Sequence, residues 1–165
     1  MSIIYRSKRI GAGGKPFLLL KIRTLRNGSD RGSFAEDGQY LPLGRFLRRT
    51  HFDELPQLWN ILRGDMCFFS WRPEEERTWQ VLPEAMRETL GKTKPGLIDL
   101  ASVFFFDEER LLQLAPDPAA VYWKQIRPVK FVLQCFYAEN RSWLLNLAIV
   151  WIYLKKLSWA LITRK

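Results

Sequence analysis

Arg45, Arg48, Arg49, Asp53 and Glu54 stand within ten residues of one another, with Asp65 and Arg72 a little further on, and they form the densest group of chemically capable side chains in the sequence. Adjacent carboxylates repel, and nearby guanidinium groups would keep both ionised, as a nucleophile and a magnesium ligand need to be. The same guanidinium groups bind phosphate oxygens in pairs. Taken singly, each residue has a plainer role: Asp53 as a helix N-cap, the arginines as a solvated face. The combination is what suggests a site for phosphate chemistry.

The elements that must position this group can be read from the flanking pattern. Leu55, Leu58, Trp59 and Leu62 recur at i, i+3, i+4 and i+7, which predicts a helix with one apolar face and Gly64 as its C-terminal stop. Pro56 is tolerated only in a first turn, so Asp53 is the expected N-cap and Glu54 the first helical residue. The helix would then open at the acidic pair, where its dipole favours negative charge.

Upstream, Ile3–Ile10, then GAGGK, then Pro16–Leu25 predicts a β-hairpin around a glycine turn. The turn is not a phosphate-binding loop, because Lys15 is followed by Pro16 rather than by the Ser or Thr that such a loop uses on magnesium. Asn27–Tyr40 is polar, glycine-rich and aperiodic, hence a loop. Downstream, a turn at Arg72 and Pro73 leads into a helix from about Pro73 toward Leu90, with a break at Lys94, Pro95 and Gly96. Leu97–Phe106 is expected as a short buried strand or irregular core segment, followed by a helix from about Pro118 to Glu139 and another beginning near Ser142. These elements define an α+β, mostly helical single domain with an N-terminal β-hairpin.

The last helix carries an apolar run from Trp143 to Leu154 that Asn146 interrupts and Lys155 and Lys156 end, short of the ~20 residues a membrane span requires. Ser142, Asn146, Tyr153 and Lys156 share one narrow stripe. An amphipathic helix lying in the lipid headgroup region and a buried core helix both fit that pattern.

Charge is concentrated at the N-terminus: residues 1–50 hold eleven Lys and Arg against three acids, which places +8 of the chain's formal +9 there. Such a field attracts nucleic acid, anionic lipid or a nucleotide-sugar alike. No reading helix, zinc finger or RNA-binding aromatic signature is present, so nucleic acid is not an expected partner. One histidine and two cysteines cannot assemble a His/Cys zinc cluster, and Cys67 and Cys135 without a signal peptide suggest reduced cytoplasmic thiols.

KPFLLLKIRTLR, LGRFLRRTHFDELPQLWNILRGDM, the Arg72–Pro73 pair and KPGLIDLASV, in that order, resemble the bacterial sugar transferases, the monotopic polyprenol-phosphate phosphoglycosyl transferases. The later PVKFVLQCFYAENRSWLLNLAIVWIYLKKL resembles the family's C-terminal part, so the likeness runs from about Ile4 to Leu157. It implies transfer of a sugar 1-phosphate from a nucleoside diphosphate sugar to a polyprenol phosphate at the cytoplasmic face of the bacterial inner membrane, the first step in assembling exopolysaccharide, capsule, O-antigen or glycoprotein glycans. Asp53 matches the family's nucleophile and Glu54 the neighbouring acid that holds Mg2+. Arg48 and Arg72 match phosphate-binding positions, and Lys94, Pro95 and Gly96 a loop associated with the nucleotide-sugar.

The chain also departs from the family. Ser70 and Trp71 replace Gly-Pro before Arg72, which is expected to change the aim of that arginine, and Asp99 replaces a glycine, which would put negative charge near a phosphate pocket. The family's hydrophobic helix ahead of the segment matching Ile3–Arg9 is not found, so the anchor is expected on a missing segment, on a separate polypeptide, or in the C-terminal helix and basic face. A catalytically impaired relative acting as a membrane-associated partner in polysaccharide assembly is the alternative these differences suggest.

Overall fold

β1 (Ile4–Ile10) and β2 (Pro16–Ile22) pair antiparallel with Ile4 opposite Ile22 and Ile10 opposite Pro16, so the expected hairpin is present. Gly13 and Gly14 take φ of 64° and 72° in its turn, a conformation that glycine adopts without strain. The computed structural model describes residues 2–26 and 37–163. Most of the expected loop over 27–40 therefore lies outside the described residues. Its end is a 3-10 turn at Asp37–Gln39 that leads to a bridge between Tyr40 and Leu25.

α1 (Gly44–Thr50) follows, and Gly44 is there because a Cβ would come within 2.3 Å of the Thr24 carbonyl oxygen. His51 closes α1 in the left-handed conformation (φ 59°), swinging the chain into a 3-10 turn at Phe52–Glu54 before α2 (Gln57–Leu62). Two expectations are corrected here. Asp53 is not the N-cap of the helix, since α2 begins after Pro56 without a side-chain cap. The short turn has used up the residues that a regular first turn would have needed.

The second correction concerns the helix face. An apolar stripe ordinarily turns to the core, yet Leu55, Leu58, Trp59 and Leu62 are exposed while Gln57 and Asn60 are buried. The reason is Asn60, whose amide spans the hairpin edge: Nδ2 donates to the Leu18 carbonyl at 2.8 Å and Oδ1 accepts from the Leu20 N–H at 3.1 Å. A side chain that pairs with two backbone groups of a strand edge outweighs periodicity in deciding which face turns inward.

β3 (Cys67–Phe69) and β4 (Gly96–Ile98) form a short parallel pair. Between them the single helix expected over Pro73–Leu90 is two, α3 (Glu76–Gln80) and α4 (Glu84–Gly91), because Pro83 cannot continue the backbone ladder. Leu97–Phe106 divides between β4 and α5 (Leu100–Phe104), which Asp99 caps by accepting from the Ser102 N–H. α6 (Glu108–Gln113) and α7 (Pro118–Val121) lead through a π-helical turn at Tyr122–Ile126 into α8 (Arg127–Glu139), and α9 (Trp143–Thr163) ends the described chain.

The core has two centres. Trp71, Leu82 and Leu90 pack with Trp79, Met86 and Phe131, and Val103, Tyr137 and Ile149 pack with Phe69, Ile98 and Tyr153. α9 enters the second centre with Ile149, Leu145 and Tyr153, and its polar residues lie along the same face. Asn146 accepts from the Tyr137 hydroxyl at 2.5 Å, and Lys156 Nζ donates to the carbonyls of Val103 and Phe104 at the end of α5. The helix's tryptophans and Leu144, Leu147 and Leu154 face outward, Trp143, Trp151 and Trp159 each being more than three-fifths exposed. α9 is thus buried along one face only, where the buried-core reading expects burial nearly all round. Among the described residues no helix is long and apolar enough to cross a membrane.

Candidate active site

The left-handed turn at His51 fixes the site. Continuing α1 would have pointed Asp53 and Glu54 along the helix surface, whereas the reversal at His51 and the 3-10 turn after it bury both, at 7% and 6% exposure. A non-glycine residue in this conformation costs about 1–2 kcal/mol. The His51 ring recovers contacts by packing on Phe106 and Tyr153, with centroids 5.0 and 5.9 Å apart.

A cavity of about 1420 Å3 opens over the pair. Lys21, Arg45, Arg48, Arg49 and Arg72 all line it, with Glu74, Glu75, Asp107 and Glu108 also on its wall. Arg45 and Arg48 stand over the buried Tyr40 ring at 5.3 and 5.9 Å, which holds α1's cations toward the cavity.

The two acids are treated differently. Glu54 is gripped: Arg72 Nη1 donates to Oε2 at 3.2 Å, Arg72 Nη2 donates to Oε1, and Lys21 Nζ lies 2.8 Å from Oε1. Burial opposes its charge, but Arg72 and Lys21 outweigh burial and hold the carboxyl well below the usual range. Glu54 in turn keeps Arg72 charged although burial disfavours it. Lys21 moves the other way, its pKa pulled down by burial despite Glu54. Asp53 makes no ion pair or hydrogen bond among the described residues, and burial pushes its carboxyl up to about 6, with Lys21 opposing and Glu54 adding to the rise. Only one of the two carboxylates is therefore firmly ionised, where the sequence suggested both.

Asp53, Glu54, Arg48 and Arg72 come together in one cavity, as the sequence pattern suggested. Lys94, Pro95 and Gly96 do not line it. Pro95 is buried, the Lys94 carbonyl accepts from the Cys67 thiol, and Gly96 donates its N–H to the Trp71 carbonyl at 2.8 Å. A Cβ on Gly96 would come within 2.2 Å of Ser70 N, so this glycine is required for the close approach of β3 and β4.

Lys21 was missed from the sequence because it sits in a strand that otherwise reads as core. Its signal was a lone cation within the apolar run PFLLLKI, where an unpaired charge would be costly. Both departures from the family are buried, and the Asp99 charge still acts on Arg72. Trp71 turns inward, fully buried and stacked on Trp79 at 5.3 Å, and leaves Arg72 on Glu54. Asp99 is 2% exposed and is occupied as the α5 cap and as an acceptor for Gln134.

The hairpin thus backs a buried carboxylate pair, Glu54 held by Lys21 and Arg72 with Asp53 beside it, in a cavity whose wall carries several arginines. The chain matches the profile of the bacterial sugar transferase family over residues 1–159 and belongs to that family. It is similar to the UDP-glucose:undecaprenyl-phosphate glucose-1-phosphate transferase of Caulobacter vibrioides, 37% identical over 106 residues covering 61% of this chain and 40% of the relative. It is also similar to the uncharacterized sugar transferase EpsL of Bacillus subtilis, 30% identical over 156 residues covering 93% of this chain and 69% of that protein. A third relative, the exopolysaccharide production protein ExoY of Sinorhizobium fredii, is 32% identical over 118 residues, 60% of this chain and 52% of the relative. The chain thus spans less than half the length of the Caulobacter transferase.

Proposed function

We propose that this chain transfers a sugar 1-phosphate from a nucleoside diphosphate sugar to a polyprenol phosphate in two displacements at one phosphate site. The observation that carries this reading is the asymmetry of the pair: a buried Asp53 that makes no ion pair or hydrogen bond among the described residues, beside a Glu54 clamped by Arg72 and Lys21. An Asp53 oxygen attacks the β-phosphorus of the donor, the bond to the bridging oxygen breaks, and a nucleoside monophosphate leaves with its electron pair. An oxygen of the polyprenol phosphate then attacks the same phosphorus, displacing the Asp53 carboxylate and yielding the polyprenol diphosphate sugar. Covalent capture lets a soluble donor and a lipid acceptor use the site in turn. Arg48 and Arg72 would neutralise phosphate oxygens that otherwise repel the attacking carboxylate.

Magnesium belongs to this proposal. It commonly takes one or two carboxylates and completes its shell with phosphate oxygens and water. Asp53 and Glu54 supply that number, and among the described residues no group of three His, Cys, Asp or Glu exists to form an all-protein site. The pair fits a substrate-completed ion, with Asp53 the less occupied of the two and Glu54 sharing its oxygens with Lys21 and Arg72. When bound, the ion would neutralise charge on the transferred phosphate.

The site would lie at a membrane surface, on the cytoplasmic face of the bacterial inner membrane, with the outward apolar residues of α2 and α9 toward lipid. The exposure of Trp59, Leu62, Trp143 and Trp151 supports this placement, since aromatic and aliphatic side chains of this kind favour the headgroup boundary. Relatives named as undecaprenyl-phosphate transferases support the acceptor class. The test is a donor screen for nucleoside monophosphate release with Mg2+ and lipid, together with mass spectrometry of the donor-treated protein. Release accompanied by a sugar-phosphate mass on Asp53 is expected. Product formation without an adduct would refute the covalent step, and no release from any donor would favour an inactive, partner-type relative.

A further inference from the structure

The cavity extends beyond the carboxylate pair to a wall that includes Tyr122, Trp123 and Arg127, and Arg110 and Gln113 of α6 line the same cavity. This wall is built on the π-helical turn Tyr122–Ile126, which precedes Pro128, a residue without the N–H that a regular ladder would use. The wider turn aligns residues five apart, and the Arg127 guanidinium donates from Nη1 to the Tyr122 hydroxyl at 2.7 Å. Such turns concentrate at functional sites.

Arg127 is 9% exposed, and its two terminal nitrogens are committed to its neighbours while Nε carries no hydrogen bond among the described residues. Its Nη2 pairs with the buried Glu74, and its Cζ stands 4.6 Å from the Phe131 centroid and 5.8 Å from that of Trp123. A guanidinium held in this way supports rings rather than receiving a phosphate. Trp123 is the ring it leaves open, 50% exposed against 41% for Phe46, the next most exposed aromatic on the cavity wall.

The geometry points to Trp123 as the stacking platform for the nucleobase of the donor, with Gln113 and Arg110 placed to meet the base edge or ribose. This deepens the proposed function and rests on it. A nucleoside diphosphate sugar carries a flat heteroaromatic ring at one end and two phosphates in the middle. The cation cluster at Asp53 suits the phosphates, and a half-exposed indole elsewhere on the same cavity suits the ring. Every base has a π-face, so stacking confers affinity without fixing which base is bound. Lys94–Gly96, off the cavity wall, offer no such surface.

The experiment is isothermal titration of the full chain with UMP, GMP, ribose 5-phosphate and glucose 1-phosphate, comparing wild type with Trp123→Ala and Trp123→Phe. Donor turnover by the wild type is recorded in parallel, so that failure of the transferase reading is seen separately. Wild type should bind at least one nucleotide more tightly than ribose 5-phosphate. Trp123→Ala should lose about tenfold in that affinity while ribose 5-phosphate and glucose 1-phosphate change less than twofold, and Trp123→Phe should recover most of the loss. Nucleotides binding no better than ribose 5-phosphate would overturn the proposal, as would an unchanged nucleotide affinity in Trp123→Ala. Equal losses for all four probes would indicate a disturbed cavity or a sugar-phosphate contact, and would overturn it too. A loss confined to glucose 1-phosphate would assign the indole to the transferred sugar instead.

Discussion

Arg72 meets Glu54 through both terminal nitrogens, Nη1 at 3.2 Å from Oε2 and Nη2 on Oε1, and Lys21 Nζ approaches the same Oε1 at 2.8 Å. One buried carboxylate thus holds two cations that come from different elements, a hairpin strand and the segment after β3. Removing it would leave two positive charges facing each other in a site largely shielded from water. Glu54 is the electrostatic centre of the site, while Asp53 beside it has the less occupied oxygens.

Glu54→Gln should therefore lose both activity and stability. The amide keeps the shape but cannot balance Arg72 and Lys21, and removing one member of a buried ion pair costs about 3–5 kcal/mol. Nucleoside monophosphate release should fall by about 100-fold or more, as for loss of an electrostatic group at a reacting centre. Thermal denaturation and a release assay check the two effects. Wild-type stability in this variant would show that Lys21 and Arg72 do not depend on Glu54.

Asp53→Asn should do the opposite to stability. Burial raises the Asp53 pKa to about 6, so the folded state binds a proton more readily than the unfolded chain does. Its contribution to stability is present at acid pH and is lost as pH rises from about 4 through 6. The neutral amide should raise the melting temperature at pH 7.5 in EDTA, by roughly 1–3 kcal/mol of stability, and that gain should shrink toward pH 4. Adduct formation should vanish. A lower melting temperature at pH 7.5 would show that Asp53 is net stabilised by Lys21 and the arginines.

The same shift sets the pH dependence of the first displacement. The ionised carboxylate is the attacking form, so adduct formation should decline below about pH 6 and reach roughly a tenth of its plateau near pH 5. Rapid-quench measurement of adduct formation from pH 5 to 8, at saturating donor, checks this. A rate flat down to pH 5 would mean that Asp53 is more strongly stabilised as an anion when donor is bound.

Much of this was legible in the sequence, and the failures share a cause. The hairpin showed through its glycine turn, and the cavity group showed through the combination of Arg48, Asp53, Glu54 and Arg72. Lys21 was hidden because the contact that makes it matter is 33 residues away in sequence. The face of α2 was misread because periodicity counts apolar positions and gives no weight to an amide that pairs with a strand edge. Asp53 was misassigned as an N-cap because the left-handed His51 leaves no mark in residue type: histidine is not the glycine such a position favours.

The inverted α2 yields a prediction in which surface and interior roles separate. Asn60→Ala removes both partly buried bonds to β2, from the Leu18 carbonyl and the Leu20 N–H, at a cost of about 0.5–1.5 kcal/mol for each hydrogen bond lost. Trp59 and Leu62 make no comparable inward contact, being 58% and 79% exposed. The double variant Trp59→Ser/Leu62→Ser should therefore melt within about 0.5 kcal/mol of wild type, yet bind anionic lipid vesicles several-fold more weakly. Cosedimentation with vesicles and thermal denaturation of both variants check this. If the double variant binds vesicles as wild type does, α2 is not the lipid-facing surface, and the role falls to the tryptophans of α9 alone.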